Sequence, residues 1–231
     1  MIAENLSEVR ERISQAIQNS GRKPDSVRLV TVSKQVSVAQ IEEARSVGAM
    51  IFGENKIQEA VPKIEQIGSQ DISWHFIGHL QKNKVKFLDA RFDLIHSVDS
   101  LELAEKISIL CQAENRVQKV LLQVNVSGEE AKFGMFTDEV EKRLGDFSRL
   151  QGIEVEGLMT IPPHDSDPEN SRRHFSKLRE IRERCEKKNG VPLHELSMGM
   201  SHDFEVAVEE GATLVRVGSA IFGPRQTMPE S

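Results

Sequence analysis

The segment VRLVTVSKQVSVAQIEEARSVGA, residues Val27–Ala49, combines the two patterns that decide the fold. Its first part is an apolar run, Val27 to Ser33, which ends at Lys34 and is typical of a strand that is buried on both faces. A few residues later, VAQIEEARSVG has apolar residues at helical spacing. The segment therefore predicts a β-strand followed by an α-helix, with an amine at the carboxyl end of the strand.

The same alternation recurs along the whole chain. Amphipathic patterns such as TDEVEKRLGDFSRL and DFEVAVEEG separate short apolar runs. There are eight such runs, at 27–34, 49–55, 72–79, 93–100, 119–126, 153–161, 194–200 and 213–223. Eight strand–helix units predict a closed (β/α)8 barrel of the TIM type. An open doubly wound sheet is the alternative, but no G-x-G-x-x-G follows the first run, which argues against its dinucleotide-binding form.

Length and composition limit the class of protein. The 231 residues suit one barrel domain, 1–231, with residues 1–24 as an added helix that packs on it. The net charge of -6 provides no basic excess for a nucleic acid, and no 18-residue apolar run suggests a membrane span. The two cysteines, Cys111 and Cys185, lack metal-site spacing and are expected to be free thiols. We therefore expect a cytoplasmic protein.

Functional residues of a barrel collect at the carboxyl ends of its strands. In this chain those positions are polar and mixed in charge, and they include few carboxylates. They are Lys34, Asn55, His79, Ser97, Asn125, Met159, Thr160, Met198 to Ser201, and Arg216 to Ser219. Such a set does not predict a metal site, which would need convergent Asp, Glu or His side chains.

Lys34 is the first candidate. Side chains alternate along a strand, so Val30, Val32 and Lys34 share one face. If the two valines fill the barrel interior, Lys34 lies at its top, where partial burial disfavours the charged amine. A neutral amine can attack an aldehyde and form an imine. The alternative is a lysine that extends into solvent from a strand end.

The last two runs suggest a phosphate site. Ser201 precedes a helical pattern from Phe204 to Glu210 and is placed to cap it. Gly218 allows close approach of a ligand to the backbone, and Ser219 adds a hydroxyl and an N–H. Barrels often bind phosphate after strands seven and eight. Each feature alone is weak, because Ser201 could be a plain helix cap.

Arg216 lies two residues before Gly218, and residues two apart on a strand face the same side of the sheet. The Arg216 side chain is therefore expected to point into the barrel mouth, beside the predicted phosphate site. A salt bridge inside the barrel is one explanation, and donation to a bound ligand is the other. Pyridoxal 5'-phosphate matches these three features. Its aldehyde suits the Lys34 amine, its phosphate suits the predicted phosphate site, and its ring nitrogen suits the cationic donor Arg216.

Five motifs strengthen this interpretation. They are TVSK, FGENKIQE, WHFIGHLQKNK, GLMTI and LSMGMSHDFEVAVEEGATLVRVGSAIFG. In order and spacing the chain resembles the pyridoxal phosphate homeostasis protein family, single-domain proteins similar to the amino-terminal barrel of alanine racemase. The resemblance implies a Schiff base at Lys34 and a donor to the cofactor ring nitrogen at Arg216. The other implied cofactor-binding residues are Ser201, Gly218 and Ser219 for the phosphate, with Asn55 and Met198 nearby.

Two further residues remain open at this point. His79, in the motif IGHLQKNK, is either a polar side chain that lines the mouth or a chemical group. Lys132, in EEAKFGMF, is either a solvated loop residue or a second amine for the aldehyde.

The resemblance implies a protein that buffers, protects or delivers pyridoxal phosphate and affects amino-acid and keto-acid metabolism indirectly. We expect no catalytic residue, because Arg216 cannot accept a proton and the chain has neither a tyrosine nor a second domain. The expected partners are the cofactor and, transiently, apoenzymes that use it; the expected state is a monomer. The alternatives are a low-specificity enzyme that uses the cofactor, such as an amino-acid racemase, and a cofactor-free Schiff-base aldolase.

Overall fold

The structure is a computed structural model that describes residues 1–68, 71–88 and 90–224. Its strands are β1 Arg28–Val32, β2 Ile51–Glu54, β3 Ser73–Phe76, β4 Leu94–Val98, β5 Gln118–Asn125, β6 Met135–Phe136, β7 Ile153–Met159, β8 Glu195–Met200 and β9 Leu214–Val217. All pairings are parallel, in the order β4-β3-β2-β1-β9-β8-β7-β5, and a further β4–β5 pairing closes the ring. The predicted eight-stranded barrel is therefore confirmed, and the short β6 pairs with β5 as an addition to it.

Helices surround the barrel. They are α1 Ile2–Asn19, α2 Val38–Ser46, α3 Ile57–Ile67, α4 Leu101–Ala113, α5 Thr137–Ser148, α6 Arg172–Asn189, α7 Phe204–Glu209 and α8 Ser219–Phe222, with 3-10 turns at Lys82–Phe87 and Pro168–Ser171. Local sequence explains several starts, since the Ser37 hydroxyl accepts from the Gln40 N–H in a capping box and Ser100 caps α4 in a similar way. None of the helices in the described ranges is both long and apolar enough to cross a membrane.

The barrel has two apolar layers. A small cluster fills its interior and contains Val30, Leu94, Leu121, Met159 and Leu214. A much larger cluster lies between the strands and the helices, and it also buries one side of α1. Alternate residues of each strand serve the two layers. Polar side chains that point inward, beyond the small cluster, therefore converge at the carboxyl ends of the strands.

Helix α1 packs near the last elements of the barrel. It contacts α7 and α8, and Asn5 Nδ2 donates to the Ile221 carbonyl over 2.8 Å. Arg12 pairs with Glu205 of α7 over 2.6 Å. The amino-terminal segment is thereby attached to the elements that follow β8 and β9.

The final predicted run needs a correction. The sequence predicted one strand over 213–223, but the chain leaves the sheet after Val217 and forms the short helix α8. Gly218 makes the change of direction at φ -126° and ψ -70°. Apolar runs of this length do not distinguish a strand from a strand with a helical turn, which explains the error.

Candidate functional site

Lys34 lies in a tight turn directly after β1. The Val36 N–H donates to the Ser33 carbonyl over 3.0 Å, which closes a four-residue turn with Lys34 second. Gln35, the third residue, has a φ of 61°. The Lys34 side chain is half-buried at the carboxyl end of the strand. The structure thus places this lysine in the turn after the first strand, at the carboxyl ends of the strands, and its role as the Schiff-base residue stays a prediction.

Arg216 lies inside the barrel and is only 4% exposed. Its Nη1 donates to the Ser197 hydroxyl over 2.5 Å, and its Nη2 donates to the Thr160 carbonyl over 2.9 Å. Neither acceptor is a carboxylate, so hydrogen bonds to a hydroxyl and a carbonyl hold this side chain rather than a salt bridge. Burial lowers the pKa of Arg216 to about 10, and the charge of Asp203 opposes that shift. A guanidinium has five N–H donors, and these two bonds use two of them.

A row of buried polar side chains supports Arg216 from below. The Ser197 Oγ lies 2.8 Å from His96 Nδ1, and His96 Nε2 lies 2.9 Å from His75 Nδ1. Burial, followed by the charge of Arg28, lowers the pKa of His75 to about 3. Burial, with the charges of His75 and Arg216, holds the pKa of His96 well below its usual value. Both imidazoles are therefore neutral at physiological pH.

Ser201 connects β8 to the last helix. Its Oγ accepts from the Gly218 N–H over 3.2 Å and from the Ala220 N–H over 3.4 Å. The prediction that Ser201 caps the following helix is wrong, because α7 begins after Asp203. A serine shortly before a helical pattern is a typical cap, but the Ser201 hydroxyl bonds instead to the Gly218 segment, 17 residues away.

Gly218 lies against the first strand. A Cβ built on it would meet the Val32 Cβ at 3.1 Å and the Val32 carbonyl oxygen at 3.2 Å. A side chain here would therefore press on β1 at the mouth. Ser219 follows as the first residue of α8 and is exposed. Ser201 thus lies beside the consecutive residues Gly218 and Ser219, although it is 17 positions from Gly218 in the chain.

Asn55 follows β2 and shares the inward parity of Gly53. Its Oδ1 is buried and has no hydrogen-bond partner within the described part of the chain. A buried acceptor without a donor is unfavourable, so this atom is suited to receive a donor from a ligand.

Met198 has a different environment. It is fully buried and belongs to the large cluster between strands and helices, whereas its neighbour Ser197 contacts Arg216 inside the barrel. Its side chain therefore lies on the outer face of β8. The assignment of Met198 to cofactor binding remains a prediction. Because the side chain faces the helices, only the backbone of Met198 is placed to face a ligand inside the mouth.

His79 and Lys132 lie on the rim of the mouth. The His79 ring stacks on Phe133 with centroids 3.8 Å apart, and its Nδ1 lies 3.3 Å from Asp99 Oδ2. Lys132 is half-buried in the same loop as Phe133. These two residues line an open groove beside the mouth. Across 1–68, 71–88 and 90–224, no group of three or more His, Cys, Asp or Glu could hold a metal ion.

Sequence reasoning missed Ser197, which accepts from Arg216, and His96, which bonds to Ser197. Ser197 and His96 are 101 positions apart and have no shared motif. The available signal was parity, because Ser197 and Arg216 both point inward on adjacent strands.

Comparison with known proteins places this geometry in a family. The alanine racemase N-terminal domain family matches residues 4–226. A protein named pyridoxal phosphate homeostasis protein in Aquifex aeolicus is 45% identical over 223 residues, which cover 96% of this chain and 98% of that protein. The chain belongs to this family of homeostasis proteins. A protein of the same name in Escherichia coli is 38% identical and covers 97% of both chains.

Two solved structures share the fold. PipY of Synechococcus elongatus, solved with PLP bound, has a TM-score of 0.84 and 35% identity over 96% of this chain and all of PipY. Alanine racemase of Corynebacterium glutamicum has a TM-score of 0.68 at 19% identity, over all of this chain and 62% of the racemase. The second likeness supports the barrel fold alone.

Proposed function

We propose that this protein binds pyridoxal 5'-phosphate and serves the homeostasis of that cofactor in the cell. The observation that carries the proposal is the meeting of Lys34, Arg216 and the Ser201–Gly218 contact at one mouth. Family membership supports it, and so does the cofactor bound in PipY, which is 35% identical.

The residues at the mouth fit the chemistry of this cofactor. The cofactor supplies an aldehyde, which a lysine amine can capture reversibly. Lys34 would hold the aldehyde carbon, and Arg216 would donate to the ring nitrogen. Hydroxyl and backbone N–H groups of Ser201, Gly218 and Ser219 would bind the phosphate. The Oδ1 of Asn55, which has no partner in the described ranges, offers an acceptor for a polar group of the cofactor.

We propose further that the role is binding rather than catalysis. Arg216 only donates, so the ring nitrogen beside it would stay unprotonated and the ring would be a poor electron sink. The 231 residues contain no tyrosine that could serve as a proton-transfer base. The groove lined by His79 and Lys132 at the rim is open, which favours exchange of the cofactor with other amines over selective chemistry. We propose a cytoplasmic monomer that meets apoenzymes transiently.

The proposal predicts a visible absorption band in purified protein after incubation with pyridoxal phosphate. Borohydride should bleach the band and attach the cofactor covalently to Lys34, as peptide mapping by mass spectrometry would report. The Lys34→Ala variant should lack both the band and the adduct, while Lys132→Ala serves as a control of equal charge change and should retain the Lys34 adduct. A colourless wild-type protein, or an adduct only on other lysines, would overturn the proposal.

The same preparation separates a carrier from an enzyme. A carrier should leave the Cα protons of free amino acids in place when the loaded protein is incubated in deuterated water. Exchange at enzyme-like turnover, lost in Lys34→Ala, would favour the amino-acid racemase alternative.

A further inference from the structure

A buried charged pair lies behind the turn that carries Lys34. Glu54, the last residue of β2, is 0% exposed and faces outward from the barrel, toward α3. Its Oε1 accepts from the Ser33 hydroxyl over 2.7 Å and from Lys63 Nζ over 2.8 Å. Its Oε2 has no partner among the residues that the structure describes, although it is buried.

Lys63 joins this carboxylate to the turn itself. Besides Glu54, its Nζ donates to the Ser33 carbonyl over 2.9 Å. That carbonyl also accepts the Val36 N–H that closes the turn, and the Ser33 N–H donates to the Gly53 carbonyl over 3.0 Å. Each polar group of Ser33 is therefore held, and the peptide bond from Ser33 to Lys34 has one fixed orientation.

The turn needs such support because of its backbone. Gln35 has a φ of 61°, which is unfavourable for a residue with a Cβ and which a type II turn normally gives to glycine. A turn with that residue is stable only where neighbouring contacts impose it. The bonds from Lys63 and Glu54 to Ser33 are contacts of this kind.

Fold stability alone does not account for the pair. A buried salt bridge is often no more stabilising than apolar residues of similar size, and here one carboxylate oxygen lacks a donor among the described residues. We propose that Glu54 and Lys63 are positioning residues, which act through Ser33 to hold Lys34 at the mouth in the orientation that captures an aldehyde. The consequence for capture rests on the proposed function, whereas the restraint on the turn does not.

The restraint can be measured in protein without cofactor. Lys63→Met alone would leave Glu54 charged and unpaired in the core, so the test uses Glu54→Gln and the double variant Glu54→Gln/Lys63→Met, which buries no charge. The hydrogen-exchange rate of the Val36 amide should rise about tenfold in the double variant, relative to wild type. The Leu121 amide, in the barrel core, is the internal reference and should change much less.

Matched controls are available at the start of the same helix. Lys56 and Glu59 form an exposed pair over 2.8 Å, so Glu59→Gln and Glu59→Gln/Lys56→Met make the same charge changes without touching Ser33. Val36 exchange should stay at the wild-type rate in both. Equal acceleration of Val36 and Leu121 in the Glu54 variants would indicate a general loss of stability and would overturn the restraint.

The second readout is the affinity for pyridoxal phosphate, measured by absorbance titration. The dissociation constant should rise about tenfold in Glu54→Gln/Lys63→Met, the effect typical of one lost hydrogen bond. Unchanged affinity with accelerated Val36 exchange would reject the positioning role. If wild-type protein binds no cofactor, the proposed function fails, and Val36 exchange still decides whether the restraint exists.

Discussion

At the scale of single residues, the conformation of Gln35 is the least favourable feature of the mouth. Its positive φ costs about 1 kcal/mol for a residue with a Cβ. The turn nevertheless places Lys34 between a buried strand and the solvent. The sequence predicted the strand, the lysine and its parity, but it gave no sign of the turn, because glutamine is not a usual residue at a positive φ.

Replacing Gln35 tests this strain. Gln35→Gly should raise the free energy of unfolding by about 0.5 kcal/mol. Glycine removes the strain of the positive φ, which stabilises the folded state, and it increases the entropy of the unfolded chain, which opposes that gain only in part. Urea denaturation gives the measurement. Gln35→Ala keeps the Cβ and should stay close to wild type, whereas Gln35→Val should lose more than about 1 kcal/mol because its branched Cβ resists this conformation. Equal stability of the glycine and valine variants would contradict the argument.

At the scale of elements, the link from β8 to α7 depends on one close approach. Gly199 has a φ of 89°, and a Cβ on it would lie 2.5 Å from the Ala207 Cβ. This contact sets α7 against the end of β8, beside Ser201. Only glycine allows the strand and the helix to be this close.

Gly199→Ala should therefore lower the free energy of unfolding by about 2–3 kcal/mol, from strain and overpacking together. Gly145→Ala is the matched control: it lies within α5, and its added Cβ would have no neighbour closer than 3.9 Å. That variant should gain about 0.5–1 kcal/mol from helix propensity. Thermal or urea unfolding of both variants provides the comparison, and similar stabilities would refute the packing argument.

Regular elements were predictable where their pattern was local. Most strands appeared as Val- and Ile-rich runs, and α2, α5 and α7 lie within the predicted amphipathic segments. The inward orientation of the Arg216 side chain was predictable, because side chains alternate along a strand. The contacts of Ser201 with Gly218 and of Ser197 with His96 were not predictable, because the partners come from segments that only the closed barrel brings together.

At the scale of the whole molecule, the barrel buries two imidazoles that must stay neutral. The pKa of His75 falls from 6.5 to about 3 in the folded protein, and the pKa of His96 is also lowered. Between pH 6.5 and 3 the unfolded chain therefore binds more protons at these positions than the folded chain does. Stability must decrease as the pH falls through that window.

The contribution of His75 can be isolated. Two pH units below 6.5, at pH 4.5, its loss should be about 3 kcal/mol of unfolding free energy relative to pH 7.5. His75→Gln cannot take up a proton, so its stability should decline less over the same interval, by about that amount. Urea titrations at several pH values, with the exposed His194→Gln as control, give both slopes. Parallel slopes for wild type and His75→Gln would contradict the lowered pKa.

The polar row beneath Arg216 has a consequence for the protons of its two histidines. The Ser197 hydroxyl accepts from Arg216 and is still able either to donate to His96 Nδ1 or to accept from it, because a hydroxyl oxygen has two lone pairs. A neutral imidazole carries one N–H, so the nitrogen that holds the proton of His96 decides whether His96 Nε2 donates to His75 Nδ1 or accepts from it. The two rings therefore share one choice between two tautomeric arrangements, and neither ring can change its tautomer unless the other changes with it.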